Sequence, residues 1–391
     1  MSDSEKVGAV VYGATGYTGR LVCEYLNAQY GVGGDISWAM AGRSQSKLEE
    51  VRDEMGIPAE VPLVVADASD PASIDAMVNG ASVIITTVGP YQLYGSDLVR
   101  ACAQAGTDYV DLCGEPGWMH EMIAAHGDAA KASGARIVFS CGFDSIPFDL
   151  GVFFLQQQAQ EKLGGPVSRI KGRVRAMQGT FSGGTLASFK ATVAAASENP
   201  ELVSVLMDPF ALSGGFKGAE QPSGMAPIYE EDLDSWSAPF IMATINTKNI
   251  HRSNMLQGHA YGEGFVYDEM MLTGPGEEGE AVAKAVASDN SLANDPTKPG
   301  EGPSKEERES GFYDVLFVGI ADGGDTLRVG VKGDKDPGYG STSKMIAESA
   351  VCLLLNPDLA SGGIWTPAAA LGAPLVERLQ ANAGLTFAVE G

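Results

Sequence analysis

Apolar and polar positions along the first 150 residues follow two alternating patterns. Short apolar runs rich in valine and isoleucine, typical of buried parallel strands, alternate with segments whose apolar residues recur every three or four positions, as in helices. The six apolar runs are residues 7–12, 36–41, 62–66, 82–88, 108–112 and 136–140. Six strands with five intervening helices predict an α/β fold with a doubly wound parallel sheet.

A glycine-rich turn joins the first predicted strand to the first predicted helix. Its glycines are Gly13, Gly16 and Gly19. In a dinucleotide-binding turn the first glycine permits the tight bend, the second lets a pyrophosphate approach the backbone, and the third lets helix and strand pack closely. The phosphate then lies on free N–H groups at the positive end of the helix. This order predicts a Rossmann-type nucleotide site.

The residues after the second predicted strand indicate which dinucleotide binds. An acid there binds the ribose 2′-hydroxyl of NAD, whereas an arginine accommodates the 2′-phosphate of NADP. The second strand carries no Asp or Glu and is followed by Arg43, with Ser44 and Lys47 close behind. These residues favour NADP, although a solvated helix start would also explain them. Asp67, which ends the third strand, is placed to meet the adenine.

Loops after the fourth and sixth strands should lie at the carboxyl edge of the sheet, where ligands bind in this fold. We expect the first of these loops along the second ribose and the nicotinamide; it begins with Gly89, Pro90 and Tyr91. The second loop contains Asp144 and Ser145, which are candidates for substrate contact. A helix cap would explain these two residues as well.

Beyond residue 150 the alternation stops and a mixed α+β pattern begins. Strands are predicted at residues 240–247, 264–272, 311–320 and 326–331, the last two forming a hairpin. We therefore divide the chain into a nucleotide-binding domain, an α+β substrate or dimerisation domain built on a mixed or antiparallel sheet, and C-terminal helices that pack back on the first domain. The three parts are residues 1–150, 151–340 and 341–391.

Two segments of the second half leave alternatives open. Every odd position from Arg169 to Arg175 is basic, which places four charges on one face of a predicted strand. That face could line an anionic-substrate site or pair with local carboxylates. Residues 274–310, rich in Gly, Pro, Glu and Lys, predict an excursion that is either a lid or a disordered surface loop.

Composition limits the partners. The net charge of −24 over 391 residues disfavours nucleic acid and anionic membrane surfaces. No run approaches the roughly 18 apolar residues of a membrane span, and the polar N-terminus lacks a secretory signal, so we expect a cytoplasmic protein. The five cysteines and four histidines have no metal-ligand spacing, so we expect reduced thiols and no metal site.

Taken together, the motifs resemble the saccharopine dehydrogenase-like oxidoreductases, in particular the branch of the trans-acting enoyl reductases. The stretches that carry the resemblance are residues 13–19, 41–43, 89–95, 114–115, 142–147, 299–303, 336–340 and 363–367. The resemblance implies NADP as cofactor and an α+β domain inserted after a Rossmann domain. It implies as cofactor contacts Gly13, Thr15, Gly16, Tyr17, Thr18, Arg43, Gly89 and Pro90, and the neighbouring Ala14 and Val88 complete the predicted set.

The leading functional hypothesis is an NADP-dependent reductase of an activated C=C bond in a lipid-like or thioester-bound substrate, either a small molecule or a carrier-bound acyl group. Tyr91 and Asp144 are the predicted catalytic residues, with Cys113 and Cys141 behind them. One alternative is a saccharopine-type C=N reductase or amine dehydrogenase, which needs a cluster of cations to hold carboxylates. Another is a non-catalytic NADP-binding sensor. A homodimer is compatible with each hypothesis.

Overall fold

The computed structural model describes residues 6–180, 182–298 and 300–390, and residue 299 of the predicted excursion lies outside this range. The strands of the described residues form two seven-stranded sheets. In chain order they are β1 (Val7–Tyr12), β2 (Trp38–Gly42), β3 (Leu63–Val65), β4 (Ala81–Thr86), β5 (Asp108–Val110), β6 (Arg136–Val138), β7 (Arg169–Gln178), β8 (Ile228–Glu230), β9 (Ser235–Pro239), β10 (Val266–Gly274), β11 (Phe312–Ile320), β12 (Thr326–Gly333), β13 (Gly363–Trp365) and β14 (Leu385–Glu390).

The helices connect the strands and cover the sheets. They are α1 (Tyr17–Gln29), α2 (Gln45–Glu54), α3 (Pro71–Asn79), α4 (Tyr91–Tyr94), α5 (Ser96–Ala105), α6 (Pro116–Ser133), α7 (Ile146–Lys162), α8 (Gly183–Glu198), α9 (Pro200–Met207), α10 (Ala243–Leu256), α11 (Gly276–Ala287), α12 (Lys305–Ser310), α13 (Thr342–Leu355), α14 (Pro367–Ala370) and α15 (Gly372–Asn382). A 3₁₀ turn spans Ser291–Asn294, and a wide π-helical turn spans Pro337–Ser341. Within the described ranges, no helix is both long and apolar enough to cross a membrane.

The first sheet is parallel throughout, with strand order β13-β6-β5-β4-β1-β2-β3. Its central strands are buried on both faces, as their continuous apolar runs predict. The doubly wound α/β fold is therefore confirmed. The seventh strand, β13, comes from the C-terminal part of the chain and pairs with β6.

The second sheet is mixed, with strand order β14-β12-β11-β7-β10-β9-β8. Within the described part of this sheet, only β7 and β10 pair in parallel, and the other neighbours are antiparallel. The predicted hairpin is β11 with β12, which pair from Tyr313 with Gly333 to Ile320 with Thr326. This mixed sheet confirms the α+β character of the second half.

The strand predicted at residues 240–247 is wrong. Pairing with β10 ends at Pro239, which has no N–H to donate, and the chain enters α10 at Ala243. Helix α10 is buried on most sides, including at Asn246, Asn249 and Arg252. Its apolar start resembles a strand because a helix surrounded by protein lacks a simple amphipathic period.

The basic face of β7 pairs with carboxylates from other strands, which confirms the second of its two interpretations. Arg173 is 1% exposed and bonds to Glu230 and Asp268. Arg175 bonds to the carboxylates of Asp314 and Glu390. These charges are compensated within the sheet and do not line the cavity described below.

The C-terminal segment contacts both sheets. Helix α13 lies against α1, where the buried carboxylate of Glu348 accepts hydrogen bonds from the hydroxyls of Tyr25 (2.6 Å) and Tyr30 (2.5 Å) and pairs with Arg378 (2.8 Å). Strand β14, which the helical pattern did not predict, instead pairs with β12. The three domain boundaries stay a prediction.

Candidate active site

The glycine turn has the geometry that its sequence predicts. Gly13 has a φ of +94°, and a Cβ there would lie 2.7 Å from the Thr87 hydroxyl oxygen, so both the bend and the neighbouring strand require glycine. A Cβ at Gly19 would lie 2.0 Å from the carbonyl oxygen of Gly13. The turn and α1 can therefore pack this closely only with glycine at both positions.

The first turn of α1 presents unused hydrogen-bond donors. Gly16 is the N-cap residue and supplies no side-chain cap. The N–H groups of Tyr17, Thr18 and Gly19 have no acceptor among the described residues. By contrast, the N–H of Ala14 is bonded to the carbonyl oxygen of Ala41 at 3.1 Å. Free N–H groups at the positive end of a helix suit a phosphate, so the turn fits the pyrophosphate of a dinucleotide.

Beside this turn, the three predicted cofactor contacts after β2 differ in the hydrogen bonds and ion pairs that they already make within the protein. Arg43 is exposed and has no carboxylate within ion-pair distance among the residues described. The Ser44 hydroxyl caps α2 by accepting from the N–H of Lys47 at 3.3 Å, and Lys47 Nζ lies 2.8 Å from Glu50. Of the three predicted contacts, Arg43 is thus the one whose donors remain available for a ribose phosphate.

Asp67 lies at the end of β3, as predicted, but its carboxylate is partly used locally. It accepts from the backbone N–H and the hydroxyl of Ser69 at 2.9 and 2.8 Å, and these bonds lower its pKa. Asp67 is close enough to Tyr12, at the end of β1, to help burial raise the pKa of that phenol to about 12. The carboxylate of Asp67 and the guanidinium of Arg43 therefore both lie near Tyr12 at this edge of the sheet.

The residues that follow β4 lie between the glycine turn and a cavity. The Val88 side chain would contact a Cβ at Gly13 at 2.9 Å, and the exposed Gly89 lines the cavity. Pro90 follows in a cis peptide bond and is the N-cap residue of α4. Glu115, from the loop after β5, accepts from the N–H groups of Tyr91 and Gln92, both at 2.9 Å. This carboxylate fixes the loop beside the predicted nicotinamide position.

The cavity has a volume of about 460 Å³ and lies between the carboxyl edge of the first sheet and helices α8, α9 and α10. Its inner end is lined by backbone and polar groups, among them Thr18, Gly89 and Asp144. Apolar side chains line much of the rest of the cavity, among them Phe189, Val193, Leu206, Met242, Ile245 and Leu292. Polar groups next to the dinucleotide turn and an otherwise largely apolar lining suit an acyl chain with one reactive head.

Asp144 lines the inner end of this cavity, as predicted. No other residue that the structure describes donates a hydrogen bond to its carboxylate, and burial raises its pKa to about 7. A Cβ at Gly114 would lie 2.6 Å from Asp144 Oδ2, so glycine at 114 makes room for the acid. A carboxyl group with this pKa is protonated in part of the population at neutral pH and can serve as an acid.

The hydroxyl of Tyr91 does not have the free position expected of a proton donor. Its hydroxyl donates to the carbonyl oxygen of Thr86 at 3.2 Å and accepts from the N–H of Leu112 at 3.1 Å. Its ring packs against Trp118 at a centroid distance of 5.6 Å, and burial raises the pKa of its phenol well above the usual range. Tyr91 therefore contributes a wall of the cavity, while its hydroxyl is engaged within the protein.

Three further candidates lie outside the cavity. Ser145 is fully buried, and its hydroxyl accepts from the amide of Asn249 at 2.8 Å. Cys113 and Cys141 are also fully buried, and burial raises the pKa of both thiols well above the usual range. Ser145 is the N-cap residue of α7, and its side chain faces α10 instead of the cavity, so its contact with substrate stays an untested prediction.

Part of the predicted excursion covers the glycine turn. The Tyr17 hydroxyl donates to the carbonyl oxygen of Pro303, and Arg308 Nη1 donates to the same hydroxyl at 3.0 Å. The carbonyl oxygen of Glu301 accepts from the N–H of Gly183 at 3.1 Å, and Leu292 lines the cavity. The segment between α11 and β11 thus spans from the nucleotide turn to α8.

The model of the saccharopine dehydrogenase NADP binding domain matches residues 9–138, which contain the glycine turn, Arg43 and Gly89. A protein of Mycobacterium tuberculosis, provisionally named a trans-acting enoyl reductase, is 40% identical over 401 residues and 95% of both chains. The trans-acting enoyl reductase of Mycobacterium ulcerans is 38% identical over 95% of this chain and 94% of its own. The chain belongs to the saccharopine dehydrogenase-like oxidoreductases, in the branch of the trans-acting enoyl reductases.

Solved structures share the fold of this family member over nearly its whole length. Apo saccharopine dehydrogenase (L-Glu forming) from Saccharomyces cerevisiae has a TM-score of 0.56 at 11% identity, covering 98% of this chain and 100% of that one. Homospermidine synthase from Legionella pneumophila, in complex with NAD, has a TM-score of 0.57 at 8% identity, covering 98% and 92%. The family member is an oxidoreductase with a nicotinamide-dinucleotide-binding domain.

The sequence did not predict two of the polar residues that line the cavity. Thr185, in the first turn of α8, and Tyr339, in the wide turn before α13, both line the inner end. Tyr339 belongs to the stretch 336–340 that carries the family resemblance. The motif was therefore visible in the sequence, but its place beside the cavity depends on a contact between segments more than 150 residues apart.

Proposed function

We propose that this oxidoreductase is an NADP-dependent enoyl reductase acting on a lipid-like or thioester-bound acyl substrate. The observation that carries the proposal is the cavity itself, whose lining combines the carboxyl group of Asp144 with apolar side chains of α8, α9 and α10. The names of the relatives, trans-acting enoyl reductases, agree with such a substrate.

NADPH, when bound, supplies a hydride to the β-carbon of the conjugated C=C bond. The protein has two remaining tasks, which are to hold the carbonyl oxygen as it gains negative charge and to deliver a proton to the α-carbon. Asp144 is the group we assign to the proton, because it faces the cavity with a pKa of about 7 and no competing donor among the described residues. The ring of Tyr91 lines the cavity and has no proton-donor role in this assignment.

The preference for NADP is assigned to Arg43. Its guanidinium is exposed after β2 and is not occupied by a carboxylate of the described chain, whereas the overall charge of −24 would otherwise repel a phosphorylated cofactor. The free N–H groups of Tyr17 and Thr18 would hold the pyrophosphate.

The cavity argues against a saccharopine-type reaction on a multiply carboxylated amino acid. Such a substrate needs cations, yet no Lys, Arg or His is among the described residues that line the cavity. The acid that shares the wall with Asp144 is Glu115, whose oxygens are used by the N–H groups of Tyr91 and Gln92. An anionic amino acid would meet negative charge here.

The test is the oxidation of NADPH, followed by absorbance, with 2-enoyl thioesters of N-acetylcysteamine of increasing chain length. A 2-oxo acid offered together with an amino acid serves as the comparison substrate. The expected result is turnover with the enoyl thioesters only, and strong loss of kcat in Asp144→Asn. Tight NADPH binding without turnover of any member would contradict the proposal and favour a sensor.

A further inference from the structure

Two hydroxyl groups meet at the inner end of the cavity and are not used by the reaction as described above. The hydroxyl oxygens of Tyr339 and Thr185 lie 2.8 Å apart, and both residues line the cavity. The backbone N–H of Ser182, the N-cap residue of α8, donates to the Tyr339 hydroxyl. The pair thus joins the turn before α13 to the start of α8.

The position of Tyr339 is fixed from several sides. Asp336 is fully buried and accepts from the N–H groups of Tyr339 at 3.0 Å and Gly340 at 2.6 Å. The Tyr339 ring meets the ring of Tyr17, in the glycine turn, edge to face at a centroid distance of 5.2 Å. Tyr339 therefore stands between the dinucleotide turn and the cavity, where the reacting end of a substrate would lie.

Counting hydrogens shows that this pair has a donor to spare. The phenol and the threonine hydroxyl have one hydrogen each, and their mutual bond uses only one of the two. The Ser182 N–H already donates to the phenol oxygen, and the hydroxyl of Ser182, which also lines the cavity, is a third hydroxyl within hydrogen-bonding reach of that phenol. Two bonds among these three hydroxyls use two of their three hydrogens, so among the described residues one O–H remains for a ligand in the cavity.

The pair stays neutral and lies near the predicted proton donor. Burial raises the pKa of the Tyr339 phenol, and the nearby charge of Asp144 adds to the shift, so the phenol keeps its proton in the neutral range. A neutral hydroxyl pair and a carboxylic acid at the same end of one cavity offer two separate hydrogen-bonding functions.

We propose that the Tyr339–Thr185 hydroxyl pair binds the carbonyl oxygen of the acyl substrate and stabilises the negative charge that develops there during reduction. This assignment rests on the proposed function, because it names the group that holds the thioester while Asp144 supplies the proton. As hydride from the dihydronicotinamide adds to the β-carbon, the C=C electron pair moves toward the carbonyl oxygen, and the O–H bond to that oxygen strengthens. Proton transfer to the α-carbon then returns the carbonyl.

The test compares two saturated probes that differ only at the carbonyl, dodecanoyl-N-acetylcysteamine thioester and the matching dodecyl thioether, with NADP⁺ present. The wild type should bind the thioester about fivefold more tightly, the size of one neutral hydrogen bond. The double variant Tyr339→Phe/Thr185→Val should bind both probes equally. Each single variant keeps one hydroxyl and should lose only part of the preference. No preference in the wild type, or an unchanged one in the double variant, would overturn the proposal.

Two controls separate carbonyl binding from damage to the fold. Tyr313→Phe also removes a buried hydroxyl, one that bonds to Ser341 at 3.0 Å outside the cavity, and should leave the preference unchanged. In addition, the carbonyl band of a ¹³C-labelled thioester should shift to lower frequency when it binds to the wild type, and Thr185→Val, at a half-buried position, should reduce this shift without unfolding. An unreduced shift in Thr185→Val counts against the pair.

Turnover distinguishes failure of this inference from failure of the proposed function. With the 2-enoyl thioester, the double variant should lose about 10²-fold in kcat, as expected for an oxyanion donor. If the double variant turns over the 2-enoyl thioester as fast as the wild type, the proposed role of the hydroxyl pair is wrong and the proposed function still stands. A carbonyl preference without any turnover would sustain the binding role of the pair and contradict enoyl reduction.

Discussion

Replacing Arg43 tests how the protein selects its cofactor. The change Arg43→Gln removes the charge but keeps a polar side chain at an exposed position after β2. Because no carboxylate pairs with Arg43 among the described residues, the substitution leaves no buried charge uncompensated. The variant should therefore fold normally, and its effect should appear in cofactor binding alone.

The expected magnitude follows from the loss of one charge-assisted hydrogen bond, about 1.5–3 kcal/mol. The site is exposed, so solvent and salt screen the interaction toward the lower half of this range. A loss of about 1.5–2 kcal/mol corresponds to a fall of roughly 10- to 30-fold in affinity for NADPH. NADH lacks the 2′-phosphate, so its affinity should change by less than about twofold.

Isothermal titration of NADPH and NADH into the wild type and the variant measures both affinities. Lys47→Gln is the matched control, because Lys47 lies one helical turn away but is paired with Glu50 at 2.8 Å and should contribute little. An equal loss for both cofactors would show that Arg43 acts through the fold. No loss for either would refute the assignment of the 2′-phosphate to this guanidinium.

Four further predictions follow from the same contacts. The kcat of the wild type should fall as pH rises through about 7, since Asp144 then loses its proton, and Asp144→Asn should lack this pH dependence. The raised pKa means that the folded state binds the extra proton, so the stability contributed by Asp144 is present at low pH and is lost between about pH 4 and 7. Gly19→Ala should destabilise the protein by about 3 kcal/mol and abolish NADPH binding, because its Cβ would lie 2.0 Å from the carbonyl oxygen of Gly13. Glu348→Ala should cost about 3 kcal/mol of unfolding free energy in urea by leaving Arg378 without its buried partner.

Each of these has a control in the chain. Gly127 lies inside α6 with nothing within 4 Å of a Cβ, so Gly127→Ala should stabilise by about 0.5–1 kcal/mol where Gly19→Ala destabilises. Glu121→Ala, at an exposed position of α6, should change stability by less than about 0.5 kcal/mol. A pH profile of Asp144→Asn that matches the wild type would show that another group titrates.

Sequence reasoning succeeded where the requirement is local. The tight bend at Gly13 and the close packing at Gly19 follow from neighbouring backbone atoms, so spacing alone predicts them. The parallel strands are equally local, because burial on both faces appears as a continuous apolar run. Arg43 follows its strand directly, and its position at the sheet edge needed no tertiary information.

The rest depends on contacts between distant segments. Whether the Tyr91 hydroxyl is free is decided by the backbone of Thr86 and Leu112, which no spacing rule identifies. The bonding of Arg173 is decided by Glu230 and Asp268, 57 and 95 residues away, so the basic stripe stayed open to two interpretations. A helix buried on most sides, such as α10, has no amphipathic pattern to separate it from a strand.

The most direct measurement of the central claim follows deuterium from cofactor to product. NADPH carrying deuterium at the reactive nicotinamide carbon is incubated with the protein and a 2-enoyl thioester, and the product is analysed by mass spectrometry with fragment assignment. Reduction beside Asp144 predicts one deuterium on the β-carbon and a solvent hydrogen on the α-carbon. Unlabelled thioester, or label found only in an amine formed from a keto acid, would contradict it.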